Sequence, residues 1–354
     1  MKTFALLGLL ASSVATAAAT NASYADHYAD VHFSNALGEV RPAPPPAAII
    51  DYARGPQDTA PITADFYNEL EYYMNFSQVA ACVGYAGIKK PFNCKVEGCK
   101  ILQGHVELVS MLSPPELQQF NVSGYIALDH LKKNIVLVTR GTLDIRDILT
   151  DVNILYRKMS PVDFAPNLQS ENLKCDGCKI HDGFLHSYLT TKEFVDPIVA
   201  QLKSQHPEYG MVVTGHSLGG ATALLFGLDY KINGYDPLVI TSGQPYVGNQ
   251  AFADYHDTVW FGKPNPDTVT VGGDRKFYRL THLHDIVPRV PYWGGYMQVS
   301  GEIFIDYHKT HPPVDKVLAC AGQLNNHCTH GSPWWTLFNL LDHFWYIEPF
   351  VPCF

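Results

Sequence analysis

The pentapeptide Gly215-His216-Ser217-Leu218-Gly219 has the spacing of an activated nucleophile. A serine hydroxyl attacks well only when a base removes its proton and the backbone holds its oxygen clear. Met211 to Thr214 just before it is an apolar, β-branched run that reads as a buried strand. Gly219-Gly220-Ala221-Thr222-Ala223-Leu224-Leu225 just after it starts small and continues as a helix. Strand, sharp turn, helix is the context that makes G-x-S-x-G a nucleophile elbow rather than a turn with a small residue. The flanking glycines let strand and helix approach with no Cβ between them. The helix N-terminus then offers free N–H groups and a positive dipole to an oxyanion.

Such a serine needs a base and a carboxylate to orient the base. Where an elbow of this kind is used, the chain order is Ser, then acid, then His. Asp285 fits the acid: the strand-like run 276–281 leads into His282-Leu283-His284-Asp285, and Ile286-Val287-Pro288 follows. Asp254, Asp257 and Asp306 are rivals, the first two within a helical pattern. The base is sought among His308, His311, His327, His330 and His343. His343 lies in Leu341-Asp342-His343-Phe344-Trp345-Tyr346, where aromatic neighbours could shield an imidazole from water. His282-x-His284 would share a strand face, as metal ligands can. No third ligand stands at ligand spacing and no H-E-x-x-H is present, so neither metal nor cofactor is expected.

The positioning elements alternate. Thr63-Ala64-Asp65 caps a helix with Phe66, Leu70, Tyr73, Met74 and Val79 on its apolar positions. Strand-like runs follow at 105–109, 122–128 and 134–138, the last two joined by a polar turn. The third run ends in Thr139-Arg140-Gly141-Thr142, upstream of the elbow, where an oxyanion donor is expected. Beyond it, Ile145, Ile148, Leu149 and Val152 follow the i, i+3, i+4, i+7 spacing of a short amphipathic helix at about 143–152. That helix is either packed on the core or a mobile lid. A long helical pattern runs from Phe184 to about His206, with a kink or break expected at Pro197. Strands are expected at 237–242 and 276–281, with a helix at 249–259 between them. This alternation implies an α/β sheet with helices on both faces.

Of 354 residues, 46% are hydrophobic and 17% charged, which is enough apolar material for a large core. The formal net charge of -9 argues against nucleic acid as a partner. Met1-Lys2-Thr3, an apolar run from Phe4 to Val14 and Ala15-Thr16-Ala17 form a secretory signal pattern, cut after Ala17 or Ala19. The run is shorter than the roughly 20 residues of a membrane span, and no later run is longer. Residues 18–62 carry the proline-rich piece Arg41-Pro42-Ala43-Pro44-Pro45-Pro46 and read as a linker, arm or propeptide before a domain at 63–354.

Eight cysteines suit an oxidising destination. Cys94 with Cys99, Cys175 with Cys178 and Cys320 with Cys328 are close in sequence, which leaves Cys82 and Cys353 for a bond across the domain. Cys175-Asp176-Gly177-Cys178 is also half a zinc site or a redox motif in form, but it lacks a second C-x-x-C. Asn21, Asn75 and Asn121 open N-x-S glycosylation sequons.

Gly215-His216-Ser217-Leu218-Gly219-Gly220-Ala221, Arg140-Gly141-Thr142 and Asp285-Ile286-Val287-Pro288 together resemble the fungal class 3 triacylglycerol lipases. Pro91-Phe92-Asn93-Cys94, Val122-Ser123-Gly124-Tyr125, Gly243-Gln244-Pro245-Tyr246-Val247-Gly248-Asn249 and His311-Pro312-Pro313 are similar to their secreted yeast branch. The likeness covers about residue 64 onward. It implies an α/β-hydrolase fold, with Ser217 as nucleophile, Asp285 as orienting acid and His343 as base. It implies Thr142 and the N–H of Leu218 as oxyanion donors, 143–152 as the lid, and the four disulfides above. Asp147-Ile148 stand where several mould lipases carry a lid tryptophan. The expected protein is a secreted monomer without cofactor, hydrolysing triglycerides at an oil–water interface. A feruloyl-type or short-chain esterase acting on soluble esters is the alternative, and a non-catalytic lipid-binding protein the more distant one.

Overall fold

The computed structural model describes residues 56–83, 87–112, 123–141, 156–159, 175–291, 294–333, 341–350 and 353. The expected signal peptide, the sequons at Asn21 and Asn121, Thr142 and the lid segment with Ile145, Ile148, Leu149 and Val152 lie outside the described residues.

In chain order the elements are β1 (Thr59–Pro61), α1 (Ala64–Ala80), α2 (Glu97–Leu102), β2 (Val106–Leu112), β3 (Ser123–Asp129), β4 (Asn134–Arg140), β5 (Tyr156–Lys158) and β6 (Lys179–His181). Then come α3 (Asp182–Gln205), β7 (Gly210–His216), α4 (Leu218–Ile232), β8 (Leu238–Ser242), β9 (Gly248–Asn249) and α5 (Gln250–Phe261). The last are β10 (Phe277–His282), β11 (Tyr296–Met297), β12 (Glu302–Ile305) and β13 (Val317–Cys320). Nine strands form one sheet in the order β1-β13-β12-β10-β8-β7-β4-β3-β2. The central strands β4, β7, β8, β10 and β12 are parallel to one another. Antiparallel strands finish the sheet on both sides. A small antiparallel sheet, β11-β9-β6-β5, lies apart.

Residues of β4 divide between two apolar clusters as strand alternation dictates. Ile135 and Leu137 join Val213, Leu185, Tyr188, Leu224 and Phe226 under α3 and α4. Val136 and Val138 join Val212, Ile240, Ile303 and the α1 residues Phe66, Leu70 and Met74 on the other face. A sheet covered on both faces explains why the central strands read as continuous apolar runs.

Helix α1 starts where the sequence places it: Thr63 is its N-cap, its side chain accepting from Phe66 N at 3.2 Å. Two expectations are corrected. Of the kink or break expected at Pro197, the break does not occur: α3 runs unbroken from Asp182 to Gln205. A proline inside a helix costs about 3 kcal/mol. Tyr188, Val195, Val199 and Leu202 are each at most 5% exposed, and a fully buried side chain of this kind contributes roughly 1.5–3 kcal/mol. Together they outweigh the proline. Asn75 is also no surface acceptor: it is 1% exposed within α1, and its Nδ2 donates to Glu71 O at 2.9 Å. A glycan there has no path to solvent in the folded chain.

Order also begins before Thr63, because β1 pairs with β13 from Thr59 opposite Cys320 to Pro61 opposite Leu318. Disulfides join Cys94 to Cys99, Cys175 to Cys178, Cys320 to Cys328 and Cys82 to Cys353. The last, spanning 271 residues, ties Cys353 to the turn after α1. Gln78 Nε2 on α1 donates to Pro349 O at 2.8 Å, so segment 341–350 is held against α1 as well. Replacing Cys82 and Cys353 together by serine is expected to lower unfolding stability by about 2–5 kcal/mol. Urea unfolding of the variant and the wild type would measure this, and an unchanged midpoint would contradict it.

Candidate active site

The elbow forms where β7 ends at His216 and α4 begins at Leu218. Ser217 between them has φ 61° and ψ −129°, a left-handed conformation that a non-glycine residue adopts only under constraint. The constraint is visible. Ser217 N donates to Ser242 O of β8 at 2.8 Å, and Ala221 N reaches back to Ser217 O at 3.2 Å. A side chain on Gly219 would collide with the Thr139 carbonyl and stand 2.6 Å from Arg140 C, so only glycine lets α4 press so close to the end of β4. The same closeness puts Gly141 beside the elbow: a Cβ there would lie 2.9 Å from Ser217 Cβ.

Asp285 follows β10 and is fully buried. A buried carboxylate is costly unless its lone pairs are satisfied. Its Oδ1 accepts from Val287 N at 2.9 Å. Its Oδ2 accepts from His343 Nδ1 at 2.8 Å and from Tyr346 OH at 2.7 Å. Burial pushes its carboxyl up, but the His343 charge and these hydrogen bonds outweigh burial and leave its pKa below the ordinary value. Burial, with the Asp285 charge, lifts the Tyr346 phenol well above its ordinary value, so it stays a donor.

The ring of His343 is fixed on several sides. His216 Nε2 donates to the His343 carbonyl at 2.7 Å. The His216 ring itself stacks on Phe350, with centroids 3.9 Å apart. Burial first, then the His343 charge, lowers the His216 pKa well below its ordinary value, so this histidine is neutral. Gly243, at φ 59°, underlies the His343 ring so closely that a Cβ would stand 2.8 Å from Cε1. Among the described residues, Ser217 Oγ and His343 Nε2 are buried and make no hydrogen bond. A serine oxygen and an imidazole nitrogen are thus left without partners among the described residues, as a proposed nucleophile and base would be.

Several of the rivals have surroundings of their own. Asp257 accepts from Ser300 N at 2.9 Å and Ser300 Oγ at 2.7 Å. Asp254 accepts from Gln250 Nε2 at 2.8 Å. His327 Nδ1 is 3.0 Å from Gln57 O, and His311 Nε2 is 3.3 Å from Glu348. Burial holds His330 at a pKa of about 4.

The family model for Lipase (class 3) matches residues 136–295, which hold the elbow and Asp285. A secreted mono- and diacylglycerol lipase of Gibberella zeae is 32% identical over 78% of this chain and 72% of its own. The Lip2 lipase of Yarrowia lipolytica is 43% identical, with a TM-score of 0.77 over 84% of this chain and 99% of that one. The chain belongs to the class 3 lipases. It is a carboxylic ester hydrolase with the α/β-hydrolase fold. A lipase of Rhizopus microsporus var. chinensis superposes with a TM-score of 0.64 at 27% identity, over 88% of this chain and 95% of its own.

Three supports of this lipase's site have no motif of their own in the sequence: Tyr346 on Asp285, the His216 bond to the His343 carbonyl, and Phe350 under His216. The aromatic run after His343 was a signal of shielding, but not of a phenol aimed at the acid. Tyr346→Phe removes one donor from Asp285. It is expected to lower kcat at most about 10–100-fold, as for a charge-assisted bond of about 1.5–3 kcal/mol. A carboxyl held below its unfolded pKa adds stability that is full above the ordinary value and lost as pH falls through the depressed one. In Tyr346→Phe the acid-inactivation midpoint should therefore move to higher pH. Residual activity after incubation across an acidic pH series checks this.

Proposed function

We propose that this lipase hydrolyses triacylglycerols at an oil–water interface through an acyl-enzyme on Ser217. The observation that carries the reading is the buried pair of Asp285 and His343 beside a strained Ser217. In the proposed reaction Ser217 Oγ attacks the ester carbonyl carbon while His343 Nε2 takes its proton. Asp285 holds Nδ1–H and balances the charge that forms on the ring. The carbonyl oxygen becomes an oxyanion and receives hydrogen bonds from the N–H of Leu218, in the first turn of α4, and from Thr142. His343 then gives the proton to the departing glycerol oxygen. Water, deprotonated by the same nitrogen, attacks the acyl-enzyme; the bond to Ser217 Oγ breaks, that oxygen takes the proton back from His343, and the fatty acid is released.

The apolar stripe Ile145, Ile148, Leu149 and Val152 is proposed to cover the acyl groove in water. At an oil surface that stripe meets lipid, so opening exposes no apolar area to water. Secretion is supported by the N-terminal signal pattern, the disulfides and relatives named as secreted, and the protein is proposed to act as a monomer. No described helix is long and apolar enough to cross a membrane.

Two relatives, from Gibberella zeae and Fusarium solani, are named for mono- and diacylglycerols, so the substrate series must include partial glycerides. The test is the initial rate on tributyrin, and on its di- and monoester, raised through the solubility limit. A steep rise as tributyrin droplets form is expected. Smooth saturation below that limit would favour a soluble esterase, and activity confined to partial glycerides would reject triacylglycerols. Ser217→Ala should abolish turnover, and activity retained in it would overturn the mechanism. Thr142→Val should cost at most about 10²–10³ in kcat, the loss of one oxyanion donor.

A further inference from the structure

The sequence pairs His282 with His284 and offers no third ligand nearby. The fold rearranges that set. His284, His308 and Asp342 each bring a ligand atom to within 4.8 Å of the others, from three separate stretches of chain. His284 leaves the end of β10, His308 follows β12, and Asp342 lies in the segment that carries His343. His284 Nδ1 is 3.5 Å from Asp342 Oδ2. Two ligands on one tetrahedral zinc ion, with bonds of about 2.0–2.1 Å, stand roughly 3.3 Å apart. The rings of His284 and His308 are 4.9 Å apart between centroids and tilted by 48°, not stacked flat.

We propose that His284, His308 and Asp342 form a binding site for a divalent transition ion of the zinc type, which clamps the loop of Asp285 to the segment of His343. Two imidazoles and a carboxylate suit zinc and its neighbours. Calcium and magnesium favour oxygen-only sets. His282 stands behind the cluster, fully buried, with Nδ1 3.7 Å from Asp342 Oδ2. Neither of its ring nitrogens makes a hydrogen bond among the described residues. His308 is exposed and His284 half-buried, so an ion can enter from solvent and keep water in its fourth position. Bound there, it would touch the residues immediately before Asp285 and before His343. It would take no part in the ester chemistry, and its function would be to hold acid and base together on heating.

The experiment is calorimetric titration of the chelator-treated full chain with Zn²⁺, with Ca²⁺ as control. His308→Ala is the test variant, because His308 touches neither Ser217, Asp285 nor His343 in the proposed mechanism. The wild type is expected to bind Zn²⁺ and to melt at a higher temperature with it. In His308→Ala this site should weaken at least about 10–100-fold, the loss that even an orienting partner causes, and its melting shift should disappear. His308→Asp should restore part of the affinity. Both variants should keep wild-type activity in chelator. Equal Zn²⁺ affinity in wild type and His308→Ala, no Zn²⁺ binding by the wild type, or equal heat from Ca²⁺ would each overturn the site. Loss of ester hydrolysis with Zn²⁺ binding intact would count against the proposed function and not against the site.

Discussion

The carboxylate of Asp285 is the constraint around which this chain closes. It is fully buried, and an ionised carboxyl in that position survives only with its oxygens satisfied. One donor is local, the Val287 N–H two residues on. The other two, His343 and Tyr346, come from 58 and 61 residues further along. The charge therefore selects a packing in which the last described segment lies over the ends of β8 and β10. That segment has anchors of its own: the stack of Phe350 on His216, the bond from Gln78 to Pro349 and the disulfide to Cys82. Stability and the geometry of the site thus rest on the same contacts.

The parallel centre of the sheet explains why the groups meet. Strands β7, β8 and β10 run side by side in one direction, so the elbow after β7, the Gly243 turn after β8 and the Asp285 loop after β10 all emerge at their carboxyl ends. Hydrogen bonds between these loops lock them into one layer, with Ser217 N on Ser242 O and Gly243 N on Leu280 O. The strain at Ser217 is held by this layer and by the approach of Gly219 to β4, and not by the serine's own preferences.

What could be read from the sequence follows from where its periodicities are strong. The buried strands β4, β7, β8 and β10 and the helix α5 stand within a few residues of their expected bounds, and α1 and α4 start where expected, because apolar runs and amphipathic stripes are local signals. Strands β12 and β13 are four residues each and escaped notice, as did the two- and three-residue strands of the small sheet. Their identity comes from partners far away in sequence. The break allowed at Pro197 does not occur for a related reason, since a local rule met a buried helix face that the sequence around it could not show. In the proposed site, spacing singles out Ser217 and points to Asp285 as candidates. His343 was separated from the other histidines by resemblance and by its aromatic setting. The convergence of His284, His308 and Asp342 is a property of the folded loops alone, and no spacing rule could reveal it.

The order of the elements along the chain has a consequence for biosynthesis. Every strand of the large sheet, the elbow and the Asp285 loop precede His343, Tyr346, Phe350 and Cys353 in the sequence. A ribosome therefore finishes the proposed nucleophile and its scaffold while the proposed base is still unmade. During that interval Asp285 lacks two of its three donors. Under the proposed mechanism the growing chain also lacks the imidazole that would activate Ser217, so ester hydrolysis would wait until the final segment arrives, the segment that the Cys82–Cys353 disulfide ties down.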